Sequence, residues 1–213
     1  MRIAVIGTGM AGRTLAQGLQ RVGHDVVVGT RDPRATGRRE EWAGVEIPLR
    51  PLAIVAGDVD LVLNATNGLA SVAALGEVGS AHLAGKVLLD VANPLDFSQG
   101  FPPTLGVKDT DSLAEQIQRA FPEARVVKSL NTVTASVMVD PAALGDGDTT
   151  MFVAGDDEEA RTQVTGLLRD LGWQDVIELD GLHHARGLEM WLPLWVRLMG
   201  TLGTAEFNLK LVR

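Results

Sequence analysis

A glycine-rich turn near its start constrains the fold of this 213-residue chain most strongly. Residues 3–12 read IAVIGTGMAG, so an apolar run leads into Gly7, Gly9 and Gly12 at the spacing Gly-x-Gly-x-x-Gly. A helical apolar pattern and a second apolar run follow. This strand–turn–helix–strand order predicts the first unit of a Rossmann-type, dinucleotide-binding fold. The alternative is a glycine-rich turn that binds nothing, and the flanking strand and helix disfavour it.

Each glycine of the turn has a physical role in such a fold. Gly7 allows the tight turn out of the strand, Gly9 lets the backbone approach a pyrophosphate, and Gly12 lets the helix pack close to the sheet. The start of the helix then presents free backbone N–H groups to the phosphates. We therefore expect the cofactor to bind across this turn.

The end of the second strand indicates which dinucleotide binds. NAD sites usually place Asp or Glu there to bind the ribose 2′-hydroxyl. This chain has Thr30 and Arg31 instead, with Arg34 close behind. A guanidinium matches the geometry of a phosphate, so the pattern favours NADP over NAD, although Asp32 weakens the local field. The alternative for these arginines is an ordinary solvated surface.

Apolar runs alternate with helical patterns along most of the chain. They predict an α/β fold, a Rossmann-type doubly wound and mainly parallel sheet with C-terminal helices. We expect one NAD(P)-binding domain over residues 1–213, with residues 180–213 as a helical appendage. Val45 and Ile47 suggest an edge strand, and residues 34–42 a short surface helix.

Composition excludes several classes of function. The chain has no cysteine and a formal net charge of −8, which argue against thiolate chemistry and against binding to nucleic acid. The longest apolar stretch, residues 188–202, contains two charged residues, so no membrane span is expected. The first residues enter a strand directly, which leaves no room for a signal peptide and predicts a cytoplasmic protein. No spacing of metal-ligating residues is found, and no metal site is expected.

Polar side chains follow three of the predicted strands. Residues 64–67, Asn93 and Asn131 stand at strand ends, where ligands bind in open α/β sheets. Their amides and hydroxyls suit ribose and the nicotinamide carboxamide; the alternative is that they form turns and helix caps. The loop of residues 93–108 is expected to cover a flat acceptor, and four residues are candidates for lining the substrate pocket: Phe97, Phe101, His183 and His184. The alternatives are a surface loop for the first two and a helix start for the others.

Several blocks occur in the order found in one known family. They are Gly7–Gly12, Gly29–Arg31, Asn93–Pro94, Lys128–Thr132, Ala154–Asp157 and Leu182–Glu189. Together they resemble the 8-hydroxy-5-deazaflavin:NADP oxidoreductases and their bacterial relatives. The chain is also similar to the reductase domain of the six-transmembrane metalloreductases.

The resemblance implies a set of cofactor contacts and an acceptor site. The implied NADP contacts are Thr8, Gly9, Met10, Ala11, Thr30, Arg31, Arg34, Ala65, Thr66, Asn67 and Ala135. It further implies a flat acceptor stacked on the nicotinamide near Asn131, which we assign tentatively to acceptor positioning. The chain departs from the deazaflavin enzymes at Asn131, where they carry histidine, and at Thr134, where they carry proline.

These observations predict an oxidoreductase that passes hydride between NADPH and a flavin-like or deazaflavin acceptor. The cofactor carries out hydride transfer, and the protein mainly has to hold the two reactants in place. The lack of an acid–base pair in the sequence therefore does not argue against this function. Two alternatives stay open: a module that senses NADPH without turnover, and a reductase of a small imine or carbonyl. A homodimer is also expected, built on a wide apolar face: Leu188, Trp191, Leu192, Trp195, Leu198, Met199 and Leu202.

Overall fold

The computed structural model describes residues 1–212. In this range the strands are β1 Arg2–Ile6, β2 Asp25–Thr30, β3 Leu49–Pro51, β4 Leu61–Asn64, β5 Val87–Asp90, β6 Leu95–Asp96, β7 Thr104–Leu105, β8 Arg125–Ser129, β9 Thr150–Gly155 and β10 Asp175–Asp180. The helices are α1 Met10–Arg21, α2 Pro33–Gly37, α3 Leu52–Val55, α4 Ser71–Val78, α5 Ser80–Leu83, α6 Leu113–Ala120, α7 Ala135–Val139, α8 Glu158–Asp170, α9 Ala185–Met190 and α10 Leu192–Leu202.

Eight of these strands form one sheet in the order β10-β9-β8-β5-β4-β1-β2-β3. Neighbouring strands are parallel except for β8 and β9, which pair antiparallel. The strands from β1 to β8 in this sheet therefore run one way, and β9 and β10 run the other way. The expected mainly parallel α/β sheet is confirmed. Because β9 and β10 run the other way, the carboxyl end of β10 lies on the side of the sheet opposite the carboxyl ends of β1, β4, β5 and β8.

Both faces of the sheet are covered, as the apolar strands require. Alternate residues of β1 serve opposite layers: Ile3 and Val5 pack with α1, α7 and α8, whereas Ala4 and Ile6 pack with α3, α4 and α6. Both layers exclude water almost completely. The arrangement is doubly wound, and it leaves one rim of the sheet free for a ligand.

The region after β2 differs from the sequence-based prediction. The edge strand is Leu49–Pro51, pairing Val28 with Leu49, rather than the segment around Val45 and Ile47. Ile47 is buried in the core without being part of a strand. Pro51 is tolerated because an edge strand has one side without a hydrogen-bonding partner. The predicted surface helix divides into α2 and a 3-10 turn over Glu40–Trp42.

The C-terminal helices follow β10 as predicted. The apolar residues that were expected to form one outward face do not all point outward: some pack inside the protein. Leu188 and Leu192 are buried in the protein, and Trp195 stacks on Phe207 with ring centroids 5.3 Å apart. Leu194 is half exposed on α10. No helix within residues 1–212 combines the length and the apolar character that crossing a bilayer demands.

Candidate functional site

A cleft of about 340 Å³ opens at the carboxyl ends of the parallel strands. Its walls come from the start of α1, the loops after β4, β5 and β8, α7, and α10. The lining residues are Met10, Ala11, Ala65, Thr66, Asn67, Gly68, Val91, Ala92, Asn93, Leu95, Phe97, Asn131, Val133, Thr134, Ala135, Met138, Leu192 and Trp195. None of these side chains carries a titratable group. The volume lies in the range of small-molecule sites.

The glycine-rich turn borders this cleft and needs its glycines. Gly7 has φ +129°, and a Cβ there would lie 2.4 Å from the Ala65 carbonyl oxygen. A Cβ at Gly12 would lie 2.2 Å from the Gly7 carbonyl oxygen. Gly12 therefore lets the start of α1 approach the backbone of the turn closely. A Cβ at Gly9 would meet no atom within 4 Å. The space beside Gly9 suits a ligand that approaches the backbone.

The residues predicted to read the 2′-phosphate are not equivalent. Thr30 is buried, and its hydroxyl lies 2.8 Å from the hydroxyl of Thr36. A hydroxyl can make more than one hydrogen bond, so the phosphate contact of Thr30 stays a prediction. Arg31 and Arg34 are exposed. Asp32 caps α2 by accepting a hydrogen bond from the Ala35 backbone N–H at 2.9 Å.

The polar residues after β4 both line the cleft and hold its shape. The Thr66 hydroxyl donates to Asn64 Oδ1 at 2.8 Å, and Asn67 Oδ1 accepts from the Leu69 backbone N–H at 3.1 Å. Asn67 therefore caps the short turn that follows it, which was the alternative to ligand binding. Its position in the cleft wall leaves a further contact open to it.

Asn93 and Asn131 form a reciprocal pair at the base of the cleft. Asn93 Nδ2 donates to the Asn131 carbonyl oxygen, and Asn131 Nδ2 donates to Asn93 Oδ1 and to the Leu188 carbonyl oxygen, each at 2.9 Å. Both N–H bonds of Asn131 are thus used, which fixes the orientation of its amide. Among residues 1–212 no donor reaches the buried Asn131 Oδ1. An unpaired buried acceptor is costly unless a ligand completes it.

The four candidate substrate-binding residues are divided by the structure. Phe97 lines the cleft, whereas Phe101 is 68% exposed and lies outside it. His183 and His184 follow β10, whose carboxyl end is at the opposite edge of the sheet. Neither histidine lines the cleft. The sequence could not reveal this, because the antiparallel pairing of β8 and β9 leaves no local signal.

Sequence reasoning missed a buried charged cluster directly below the cleft. Lys128 Nζ lies 2.7 Å from Asp90 Oδ2 and 2.9 Å from Glu189 Oε1, and it donates to the carbonyl oxygen of the lining residue Ala92. All three charged side chains are almost entirely buried. Two charges inside otherwise apolar strands were the available signal, since buried Lys and Asp are rare unless paired.

The cluster is connected at both ends. Glu189 accepts hydrogen bonds from the backbone N–H groups of Leu113 and Ala114 at the start of α6, at 2.8 and 3.2 Å. Asp90 accepts from Asn64 Nδ2 at 2.7 Å. Burial acts to lower the pKa of Lys128, but the two carboxylates outweigh it and hold that pKa above its ordinary value. Lys128 therefore joins the cleft floor, through Ala92, to Glu189 on α9.

The chain is similar to one family of reductases over most of its length. Residues 2–94 match the family model described as NADP oxidoreductase, coenzyme F420-dependent. The F420-dependent NADP reductase of Methanothermobacter thermautotrophicus is 30% identical over 211 residues, covering 93% of this chain and 89% of the reductase. The crystal structure of a putative F420-dependent NADP-reductase from Arthrobacter sp. FB24 has a TM-score of 0.96 and 54% identity, with complete coverage of both chains.

A second group of relatives is longer than this chain. Metalloreductase STEAP3 of Rattus norvegicus is 29% identical over 199 residues, which is 91% of this chain. The chain spans only 38% of the length of that metalloreductase. This similarity therefore concerns one part of a larger protein.

Proposed function

The chain belongs to the F420-dependent NADP reductase family, and on that premise we propose that it transfers hydride between NADPH and a deazaflavin or flavin-like acceptor. The observation that carries the proposal is the cleft beside the glycine-rich turn. Its lining is mainly apolar and has no titratable group. Such a site suits a reaction in which two flat rings must be held in contact and shielded from water.

The cofactor would lie across the turn, with its nicotinamide in the cleft. Gly9 leaves the backbone open to the pyrophosphate, while Gly7 and Gly12 allow the tight turn itself. Met10, Ala11, Ala65, Thr66, Asn67, Asn93 and Ala135 are the proposed further contacts, and all seven line the cleft. Arg31 and Arg34 are proposed for the 2′-phosphate, because both guanidiniums are exposed after β2.

The acceptor would stack against the nicotinamide in the same cleft. Phe97 and Trp195 provide aromatic walls, and Trp195 is supported by its stack on Phe207. The unpaired Asn131 Oδ1 would accept a hydrogen bond from an N–H group of the bound rings. Asn131 is therefore proposed to position a reactant. Having no titratable proton at neutral pH, it is not proposed as an acid.

The proposal is tested by following NADPH oxidation against a panel of acceptors. The panel contains an 8-hydroxy-5-deazaflavin, FMN, a quinone, a ferric chelate and a small cyclic imine, each with NADPH and with NADH. We expect the deazaflavin or a flavin to be reduced fastest, and NADPH to be preferred. Tight NADPH binding with no oxidation by any acceptor would instead make the protein a sensor, and a dominant rate with the imine would make it an imine reductase.

The role of Asn131 has a matched control elsewhere in the chain. Asn208 Nδ2 donates to the Thr150 carbonyl oxygen at 3.1 Å, and neither residue lines the cleft. We expect Asn131→Ala to lower kcat/KM for the acceptor roughly tenfold or more, in line with the loss of a buried hydrogen bond. Asn208→Ala should leave that ratio unchanged. Equal losses in the two variants would mean that Asn131 acts only through the stability of the fold.

We further propose that the protein is a homodimer and that residues 1–213 act as one dinucleotide-binding unit with a C-terminal helical appendage. An outward stripe on the last helix supports the dimer: Leu194, Leu198 and Leu202 recur at helical spacing, and Leu194 and Leu202 are 50% and 56% exposed. A second copy of the chain would bury this stripe in an isologous contact.

A further inference from the structure

A short segment after α2 lies against the glycine-rich turn. We call residues 38–42 the strap, because two of its side chains bind the same residue of that turn. Arg39 Nη1 donates to the Thr8 hydroxyl at 3.2 Å, and Trp42 Nε1 donates to the Thr8 carbonyl oxygen at 3.1 Å. The strap therefore faces the point where the turn receives a dinucleotide.

The backbone of the strap is held firmly. Trp42 is only 4% exposed and belongs to the core layer that contains α1. From α1 itself, Arg13 Nη1 donates to the Glu41 carbonyl oxygen at 2.6 Å. The Arg39 side chain, in contrast, is exposed. An exposed guanidinium thus stands on a buried, hydrogen-bonded base next to the turn.

The Arg39 guanidinium has donors to spare. It carries five N–H bonds, and within residues 1–212 its one described hydrogen bond goes to the Thr8 hydroxyl. The hydroxyl is a neutral acceptor, whereas a phosphate offers charged oxygens in a geometry that guanidinium matches. A phosphate placed near Thr8 would therefore be a stronger partner than the one Arg39 now has.

The cofactor brings such a phosphate to this place. In a Rossmann-type site the adenosine ribose lies between the glycine-rich turn and the end of β2, where its 2′ position is read. Arg31 stands at the end of β2, and Arg39 stands at Thr8. Thr30, the last residue of β2, shares its hydroxyl with Thr36. Arg39 and Arg31 thus stand on the two elements that flank the expected 2′ position.

We propose that Arg39 is a further specificity-determining residue, which exchanges the Thr8 hydroxyl for an oxygen of the 2′-phosphate when NADP(H) binds. The inference rests on the proposed use of NADP(H). It adds a third arginine, supplied by the strap, to Arg31 and Arg34, which follow β2. The discrimination between NADP and NAD then depends on residues on both sides of the ribose.

The test compares two neighbouring arginines and two small probes. Arg38 carries the same charge one residue earlier and is also exposed, so Arg38→Ala controls for the general field. Adenosine 2′,5′-bisphosphate carries the 2′-phosphate, and 5′-AMP lacks it. Calorimetry should show that Arg39→Ala weakens the bisphosphate roughly ten- to a hundredfold and leaves 5′-AMP unchanged. Arg39→Lys should recover part of the loss, and Arg38→Ala should change Kd less than twofold.

Each other outcome overturns a specific statement. Equal losses in Arg38→Ala and Arg39→Ala would reduce the effect to long-range charge and reject a direct contact. A parallel loss of 5′-AMP binding would show that Arg39 only maintains the turn through Thr8. If the unmodified protein bound the bisphosphate no better than 5′-AMP, the proposed NADP preference itself would be wrong, whatever the variants did.

Discussion

Among single residues, Arg31 is expected to contribute most to the choice of cofactor, because it follows β2 directly and its guanidinium is exposed. Hydrogen bonds to charged groups contribute about 1.5–3 kcal/mol, so Arg31→Ala should weaken NADPH binding roughly ten- to a hundredfold. NADH binding should not change. Titration of both cofactors measures this, with the exposed Arg169→Ala on α8 as the control for lost positive charge. A common loss for NADH and NADPH would contradict the assignment.

Lys128 is the residue on which the fold below the cleft depends most. Replacing it by Met leaves the buried carboxylates of Asp90 and Glu189 without their cation, and breaking a buried pair costs about 3–5 kcal/mol. Urea unfolding of Lys128→Met should show such a loss of stability. The exposed Lys108→Met is the control. A loss no larger than that of the control would mean that the cluster adds nothing to stability.

The same cluster predicts a sign for the pH dependence of stability. Burial lowers the pKa of Lys128, but Asp90 and Glu189 outweigh it and raise the pKa in the folded state. The folded protein therefore binds this proton more tightly than the unfolded chain does. The contribution is fully present below the ordinary lysine pKa and is lost as the pH rises above it.

Individual residues show where the sequence was sufficient. The crowding at Gly12 comes from nearby Gly7 and follows from the motif, whereas the approach of Gly7 to Ala65 joins distant parts of the chain. Lys128 and Glu189 are 61 positions apart, so no local pattern could join them. The pairing of Thr30 with Thr36 depends on how α2 folds back on β2, so the sequence could not reveal it.

At the scale of elements, the loop between β5 and α6 forms one wall of the cleft. It contains the antiparallel pair β6 and β7, and it places Phe97 in the cleft lining while Phe101 stays outside. Both rings are largely exposed, so they form a matched pair. Phe97→Ala should raise the KM for the acceptor several-fold through lost stacking, without changing NADPH affinity.

Phe101→Ala is the control and should leave both constants unchanged. Steady-state kinetics with the best acceptor of the panel decides between the two rings. A larger effect at Phe101 than at Phe97 would show that the loop moves when the acceptor binds. The sequence alone gave these two residues equal weight, since both follow the same strand in a proline-rich loop.

Helix α6 shows which element boundary a local spacing can indicate. Ser112 Oγ accepts from the Glu115 backbone N–H at 3.2 Å, which is the cap that a Ser-x-x-Glu spacing predicts. The Glu115 carboxylate accepts from the Ser112 hydroxyl, at 2.7 Å, rather than from its backbone N–H. The second partner of that carboxylate, Arg186 on α9, lies 2.6 Å away and was not predicted. A helix cap involves residues close in sequence and can be predicted from it. The packing of α9 on α6 joins distant parts of the chain and cannot.

At the scale of the whole molecule, the stripe on α10 predicts association. Light scattering at micromolar concentration should give a mass near twice the 22.6 kDa of the chain. Leu194→Glu places a charge in the proposed contact and should return the mass to that of one chain. Glu77, on α4, is exposed away from the stripe, so Glu77→Lys serves as a surface-charge control. A single-chain mass for the unmodified protein would end the dimer proposal.

The direction of β9 and β10 is the main global feature that the sequence did not reveal. The alternation of strands and helices correctly predicted the doubly wound sheet, since each unit has its own apolar pattern. No apolar pattern in the sequence indicates whether β9 runs parallel or antiparallel to β8. The reversal moves His183 and His184 away from the cleft, although their position after a strand suggested otherwise.

The absence of ionisable side chains from the lining of the cleft bears on where protons come from in the proposed reaction. The walls have no group of their own that could store or release a proton as hydride passes, so the reactants and solvent would exchange it. Like any catalyst, the protein would lower the barrier equally for the forward and reverse steps and leave the net flow to mass action. The ratio of reduced to oxidised cofactor, together with the acceptor's own reduction potential, would then decide whether the protein supplies NADPH or consumes it.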